Sequence, residues 1–180
     1  MTQGKQYIAM AVVVVSALAA AWMLNVSSLA WKGRPVVSRQ RLSEIDPANT
    51  GMNVSVTQPW LHSNVLVFNV DKPLPDRDYN RFDVMRCLLQ SAQELQDRDF
   101  DRIYLANDGK RVYYITADDF KALGRDYNRD SDWNTLGLYT RLPQCTRTLN
   151  DSAAFCPNTG LLAGVANASD WNSMMGNLMK

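Results

Sequence analysis

The sequence has a single histidine, His62, and three cysteines in 180 residues. A histidine-rich zinc site is thereby excluded, and any histidine chemistry has to run through one side chain. Charge of one sign is missing too: 19 basic and 18 acidic residues leave a net charge of +1. No broad field invites nucleic acid or anionic lipid onto the soluble part, so nucleic acid is not an expected partner. There is no G-x-S-x-G turn to present a nucleophilic serine. Gly160 and Gly164 in GLLAG lack the spacing and the lysine of a phosphate loop. No internal repeat or low-complexity tract occurs. After Leu24 there is no further long hydrophobic stretch, which limits the chain to one membrane span.

What the chain does have is the run Ile8–Leu24, IAMAVVVVSALAAAWML, uncharged and with only Ser16 polar. An Ala/Val run at the N-terminus has no polar face to turn to water, which argues against a buried core helix. Two readings compete. Ser28-Leu29-Ala30 and Ala17-Leu18-Ala19 offer small residues where a signal peptidase cuts, whereas Trp22 and Trp31 bracket the edge where indole rings favour the headgroup zone. An uncleaved anchor is the preferred reading and a cleaved signal the alternative. Lys32, Arg34, Arg39 and Arg41 outnumber Lys5 and the α-amino group, and a bare positive-inside count leaves the C-terminal part in the cytoplasm. The cysteines point the other way. Cys145 and Cys156 flank a stretch rich in Pro, Thr, Asn and Ser that reads as a loop closed by a disulfide, worth up to about 3 kcal/mol in a relaxed geometry. Such bonds persist in oxidising compartments, and the expected location is therefore extracytoplasmic, the bacterial inner membrane facing the periplasm, or secreted if the segment is cut.

The expected organisation is a short tail over 1–7, the anchor over 8–24, a juxtamembrane linker over 25–58 and one domain over 59–180. A weak alternation, MNVSVT, suggests a short strand from Met52. NVLVFNV at 64–70 reads as a strand, and the prolines of DKPLPD end it. A helix is expected from about Arg77 to Gln96, capped by Asp76 or Asp78. Its inward face would carry Phe82, Met85, Leu88, Leu89, Ala92 and Leu95, with Arg81, Asp83, Arg86, Gln90 and Glu94 outside. Cys87 reads as a small buried hydrophobe. RIYLA and RVYYI flank Asn107-Asp108-Gly109-Lys110, and Asp-Gly at a tip supplies the positive φ angles of a tight hairpin. Thr116 is placed to cap a short helix with Asp119 three residues on, Phe120 and Leu123 inward and Gly124 at its end. Farther on, TLGLYTRL alternates like a strand, and Ser169 onward, with Trp171, Met174, Met175 and Leu178, reads as a short terminal helix. The strand, helix, hairpin, helix order implies an α+β fold: a small, mostly antiparallel sheet with helices on one face.

Chemistry-bearing patterns are weak. Asp126, Asn128, Asp130 and Asp132 alternate like the first half of a calcium loop, but Ser131 and Gly137 stand where such a loop needs glycine and a bidentate glutamate. A solvated turn is the better reading, with calcium the alternative. Ser63 follows His62 directly, which does not make a triad, because the base approaches its nucleophile through space. Asp97, Asp99, Asp101, Asp118 and Asp119 fall in polar breaks or a first helical turn, where solvation and the helix dipole favour them. Asn25, Asn53 and Asn167 head sequons that matter only in a glycosylating host. Aromatic residues concentrate from Tyr104 to Tyr139 beside Arg102, Arg111, Arg125 and Arg129, the composition that interface centres favour. Tyr113 and Tyr114 point to opposite faces of a strand, and one of them is expected at the surface. The sequence thus leads to a non-enzymatic, membrane-tethered domain that binds another protein in the cell envelope, as assembly accessory or inhibitor. Tyr104, Arg111, Tyr113, Tyr114 and Trp133 are the expected contact residues. The alternatives are a small hydrolase using His62 or a carboxylate pair, and a divalent-cation module.

Overall fold

Strand alternation divides the sheet into two faces of different character, and the helices gather on one of them. The computed structural model describes residues 33–72, 80–127, 132–150 and 163–179. The tail, the hydrophobic segment 8–24, Asp76, Asp78, Asn128, Asp130 and Cys156 lie outside them. Among the described residues no helix is long and apolar enough to cross a membrane.

The fold is α+β. Strands β1 (Gly33–Val37), β2 (Val54–Pro59), β3 (Val65–Val70), β4 (Arg102–Asn107), β5 (Lys110–Thr116) and β6 (Thr146–Thr148) form one six-stranded mixed sheet in sequential order. All pairs are antiparallel except β3–β4, which run parallel, Leu66 beside Ile103 and Phe68 beside Leu105. A parallel neighbour needs a crossover, and helix α2 (Arg81–Glu94) supplies it. The remaining helices are α1 (Arg39–Ile45), α3 (Ala117–Asp126), α4 (Asp132–Cys145) and α5 (Ala163–Leu178).

One face of the sheet presents Val54, Val56, Leu66, Phe68, Val70, Ile103, Leu105, Tyr113 and Ile115. These join a single apolar cluster with Leu42 of α1, Met85 and Leu88 of α2, Phe120 and Leu123 of α3, Leu138 and Leu142 of α4, and Met174, Met175 and Leu178 of α5. Each fully buried Leu, Ile or Phe side chain contributes roughly 1.5–3 kcal/mol by leaving water.

The expected hairpin forms where Asp108 and Gly109 take φ angles of 48° and 77°. Thr116 caps α3: its hydroxyl accepts from the Asp119 N–H and donates to the Asp119 carboxylate at 2.8 Å. Cys87 is buried, as a small hydrophobe should be.

Several elements differ from expectation. Residues 33–58 are not linker: β1, α1, a 3-10 turn at Pro47–Asn49 and β2 belong to the sheet and its covering layer. A buried polar network fastens them to α2. Asn49 donates to the Leu42 carbonyl at 2.8 Å and to Gln90 Oε1 at 2.6 Å, while Gln90 donates to Asp46 at 3.1 Å. Arg86 donates to Asn49 Oδ1 at 3.0 Å and to the Ala48 carbonyl at 3.1 Å. This second covering buries Gln90 on a side of α2 read as solvent-facing, whereas Phe82 is 48% exposed. Helix α2 is capped by Asn80, whose side chain accepts from the Phe82 N–H.

Gly124 does not end α3. It sits within the helix where a β-carbon would stand 2.5 Å from the Ala92 carbonyl carbon, so it permits close crossing of α2 and α3. TLGLYTRL lies in helix α4, because Leu138, Leu142 and Cys145, spaced by four and three, face the core. The terminal helix starts at Ala163, ahead of Ser169.

Candidate functional site

On the sheet face opposite the core, Tyr104 of β4 and Tyr114 of β5 stand directly across from each other. Their ring centroids are 6.0 Å apart at an interplanar angle of 62°, an edge-to-face pair. The guanidinium of Arg102, diagonal to Tyr114, lies 4.9 Å from that ring's centre, and Arg111 lies 4.9 Å from the centre of Tyr104. Both distances fall within cation–π range. Two strands therefore hold an Arg–Tyr–Tyr–Arg cluster in which each ring packs against a cation and the other ring.

A β-bulge makes the cluster possible. Tyr113 pairs with Leu105 and Arg111 with Ala106, so Val112 is the extra residue on β5. Unbroken alternation back from Tyr114 would put Val112 on the outer face and Arg111 toward the core. The bulge reverses this: Val112 packs against the core and Arg111 joins Tyr104. Across the same row, Val67 of β3 neighbours Tyr104 and Arg147 of β6 neighbours Tyr114. Val65, Val67, Ala106 and Tyr114 are buried yet stand apart from the core cluster. The outer face thus carries its own apolar strip, with guanidinium groups of three strands beside it.

Of the expected contact residues the structure unites Tyr104, Tyr114 and Arg111, and adds Arg102. Tyr113 is not with them. It faces the core, 8% exposed, its hydroxyl accepting from Asn177 Nδ2 at 2.9 Å. With Tyr114 at 5%, neither of this tyrosine pair is exposed. Trp133 belongs to α4, but its side chain lies outside the described residues. The cluster's cationic partners were open to sequence reasoning, because diagonal neighbours follow from a hairpin register. The bulge was not, and without it Arg111 is assigned to the wrong face.

Elsewhere, Asp126 ends α3 and forms an ion pair with Arg141, and Asp132 begins α4. Among the described residues no group of three or more His, Cys, Asp or Glu is placed to hold a metal ion. His62 lies in the exposed turn 60–64 between β2 and β3. Asp101 accepts from Asn64, and Asp119 is engaged by Thr116. Cys145 is a free thiol, 9% exposed, at the end of α4. Burial pushes its pKa up, Asp119 adds to the rise, and Arg141 opposes it. An open cleft of about 310 Å³ lies between Val36 and Val37 of β1 and Glu94, the last residue of α2, with Leu95, Asp97 and Arg98 beyond it.

No protein-family model, curated protein or solved structure matches the chain.

Proposed function

We propose that this chain is a membrane-tethered, extracytoplasmic binding domain, without enzymatic activity, that docks another envelope protein through the outer face of its sheet. The Arg102–Tyr114–Tyr104–Arg111 cluster carries the reading. Tyr and Arg held in place by one another lose little side-chain entropy on binding, and both residue types dominate interface energetics. Guanidinium groups of Arg102, Arg111 and Arg147 along this face favour a partner that presents carboxylates or backbone carbonyls. The tether rests on the run 8–24, and the extracytoplasmic location on the Cys145/Cys156 pair, against the basic residues Lys32, Arg34, Arg39 and Arg41 that follow the run. A Cys145–Cys156 bridge belongs to the same reading.

Co-purification of the tagged full chain from membranes tests the proposal. A species retained by the unaltered chain and by Arg125→Glu, on α3, but lost with Arg102→Glu/Arg111→Glu, supports it. Equal retention by all three, or by none, refutes it.

A further inference from the structure

Gly33, the first described residue, pairs with Pro59 at the end of β2. Its backbone lies so close to the Gln58 carbonyl that no β-carbon fits between them. The hydrophobic run ends at Leu24, and nine residues span at most about 30 Å when extended. The domain's connection to that run therefore emerges at the end of the sheet where β2 turns into β3.

That turn carries two of the most exposed apolar side chains described, Trp60 and Leu61, each 68% exposed. The turn is built to hold them outward. His62 N–H donates to the Pro59 carbonyl at 3.3 Å and Val65 N–H to the His62 carbonyl at 3.2 Å. At its base Gln58 is buried, donates to the Ser63 carbonyl, and accepts from Arg34 and Arg98, both at 2.9 Å. A supported turn that points Trp and Leu into solvent wastes apolar area unless something covers them.

We infer that Trp60 and Leu61 enter the interfacial zone of the phospholipid bilayer that holds residues 8–24, giving the domain a second membrane contact and a fixed orientation. Trp suits that zone because its ring is apolar while its N–H still reaches polar headgroups. Arg34 and Arg98 are engaged by Gln58 at the base of the turn, and Asp101 holds Asn64 at its end beside Arg102, so charges of both signs flank it and the apolar pair makes the contact. The Asp108–Gly109 turn lies at the opposite end of the sheet, because β3 and β4 run parallel and β5 returns. It points away from the membrane.

The inference rests on the proposed tether, and the experiment separates the two. The full chain with Cys156→Ser, labelled natively at neutral pH so that buried Cys87 and Cys145 stay unreacted, and bearing its environment-sensitive label at Leu61→Cys or Lys110→Cys, is reconstituted in phosphatidylcholine vesicles, with and without phosphatidylglycerol. The label at 61 is expected to emit to the blue of that at 110. It should also be quenched by nitroxide-bearing lipid and shielded from aqueous iodide, equally in both lipid mixtures. If the chain floats with the vesicles but both labels are equally open to iodide, the second contact is refuted and the tether stands. Shielding from iodide without quenching by lipid assigns the turn to a contact with a second copy of this chain and overturns the inference. A chain that does not float with vesicles overturns the tether and the inference with it.

Discussion

Asn49 shows how much one buried polar side chain controls here. It donates to Leu42 and Gln90, and its oxygen accepts from Arg86 and faces the Cys87 sulfur at 3.4 Å. Asn49→Ala takes the amide donor from buried Gln90 Oε1 and one of several partners from the Leu42 carbonyl and from Arg86, and urea denaturation is expected to show a loss of about 1–3 kcal/mol. Cys145 gives a second prediction at this scale. Because burial holds its pKa above the ordinary thiol value, the native thiol stays protonated where an unfolded one ionises. In a Cys156→Ser chain, where Cys145 has no bridging partner, alkylation by iodoacetamide should be slow at neutral pH and accelerate only above the pH at which a free cysteine reacts. In the same range stability should fall as pH rises, since only the unfolded chain then releases the proton. Fast alkylation at neutral pH would contradict the buried placement. Single residues of this kind are poorly legible in sequence. Gln90 lies at a position of α2 where helical periodicity predicts solvent, and only the covering turn Pro47–Asn49 explains its burial.

Elements whose signals are local came through the sequence clearly. The Asp108–Gly109 turn demands positive φ, the Thr116 cap satisfies orphan N–H groups, and β3 is a β-branched run bounded by breakers. Elements decided by distant partners did not. TLGLYTRL alternates over a few residues but buries Leu138 and Leu142 on a helical stripe that continues to Cys145. Strand β6, TRT, has no apolar signal and exists because it pairs with β5. Gly124 looks like a helix end, yet its role is set by α2 passing close to it. Gly124→Ala therefore forces α2 and α3 apart, and is expected to lower stability by about 1–3 kcal/mol in the same denaturation assay, despite alanine's better helix propensity.

At the scale of the molecule, the domain begins earlier than composition suggests. A chain started at Pro59 lacks β1, α1 and nearly all of β2, and with them Val37, Leu42, Val54 and Val56 of the core. It is expected to be unfolded by circular dichroism, whereas one started at Gly33 keeps the sheet. The two sheet faces then divide the labour of the proposal: one packs against the helices, and the other holds half-buried arginines against the Tyr104–Tyr114 pair. If residues 8–24 export the domain, a reporter fused after Lys180 should be active only outside the cytoplasm; activity inside would place the partner elsewhere. The most direct measurement of the central claim is site-specific photo-cross-linking in intact membranes, with benzoylphenylalanine at position 57, in the row of Val67 and Tyr104 on the outer face, or at position 125 on the helix layer. The account predicts one discrete protein adduct from 57 and none from 125. The reverse pattern, or no adduct from 57, would contradict it.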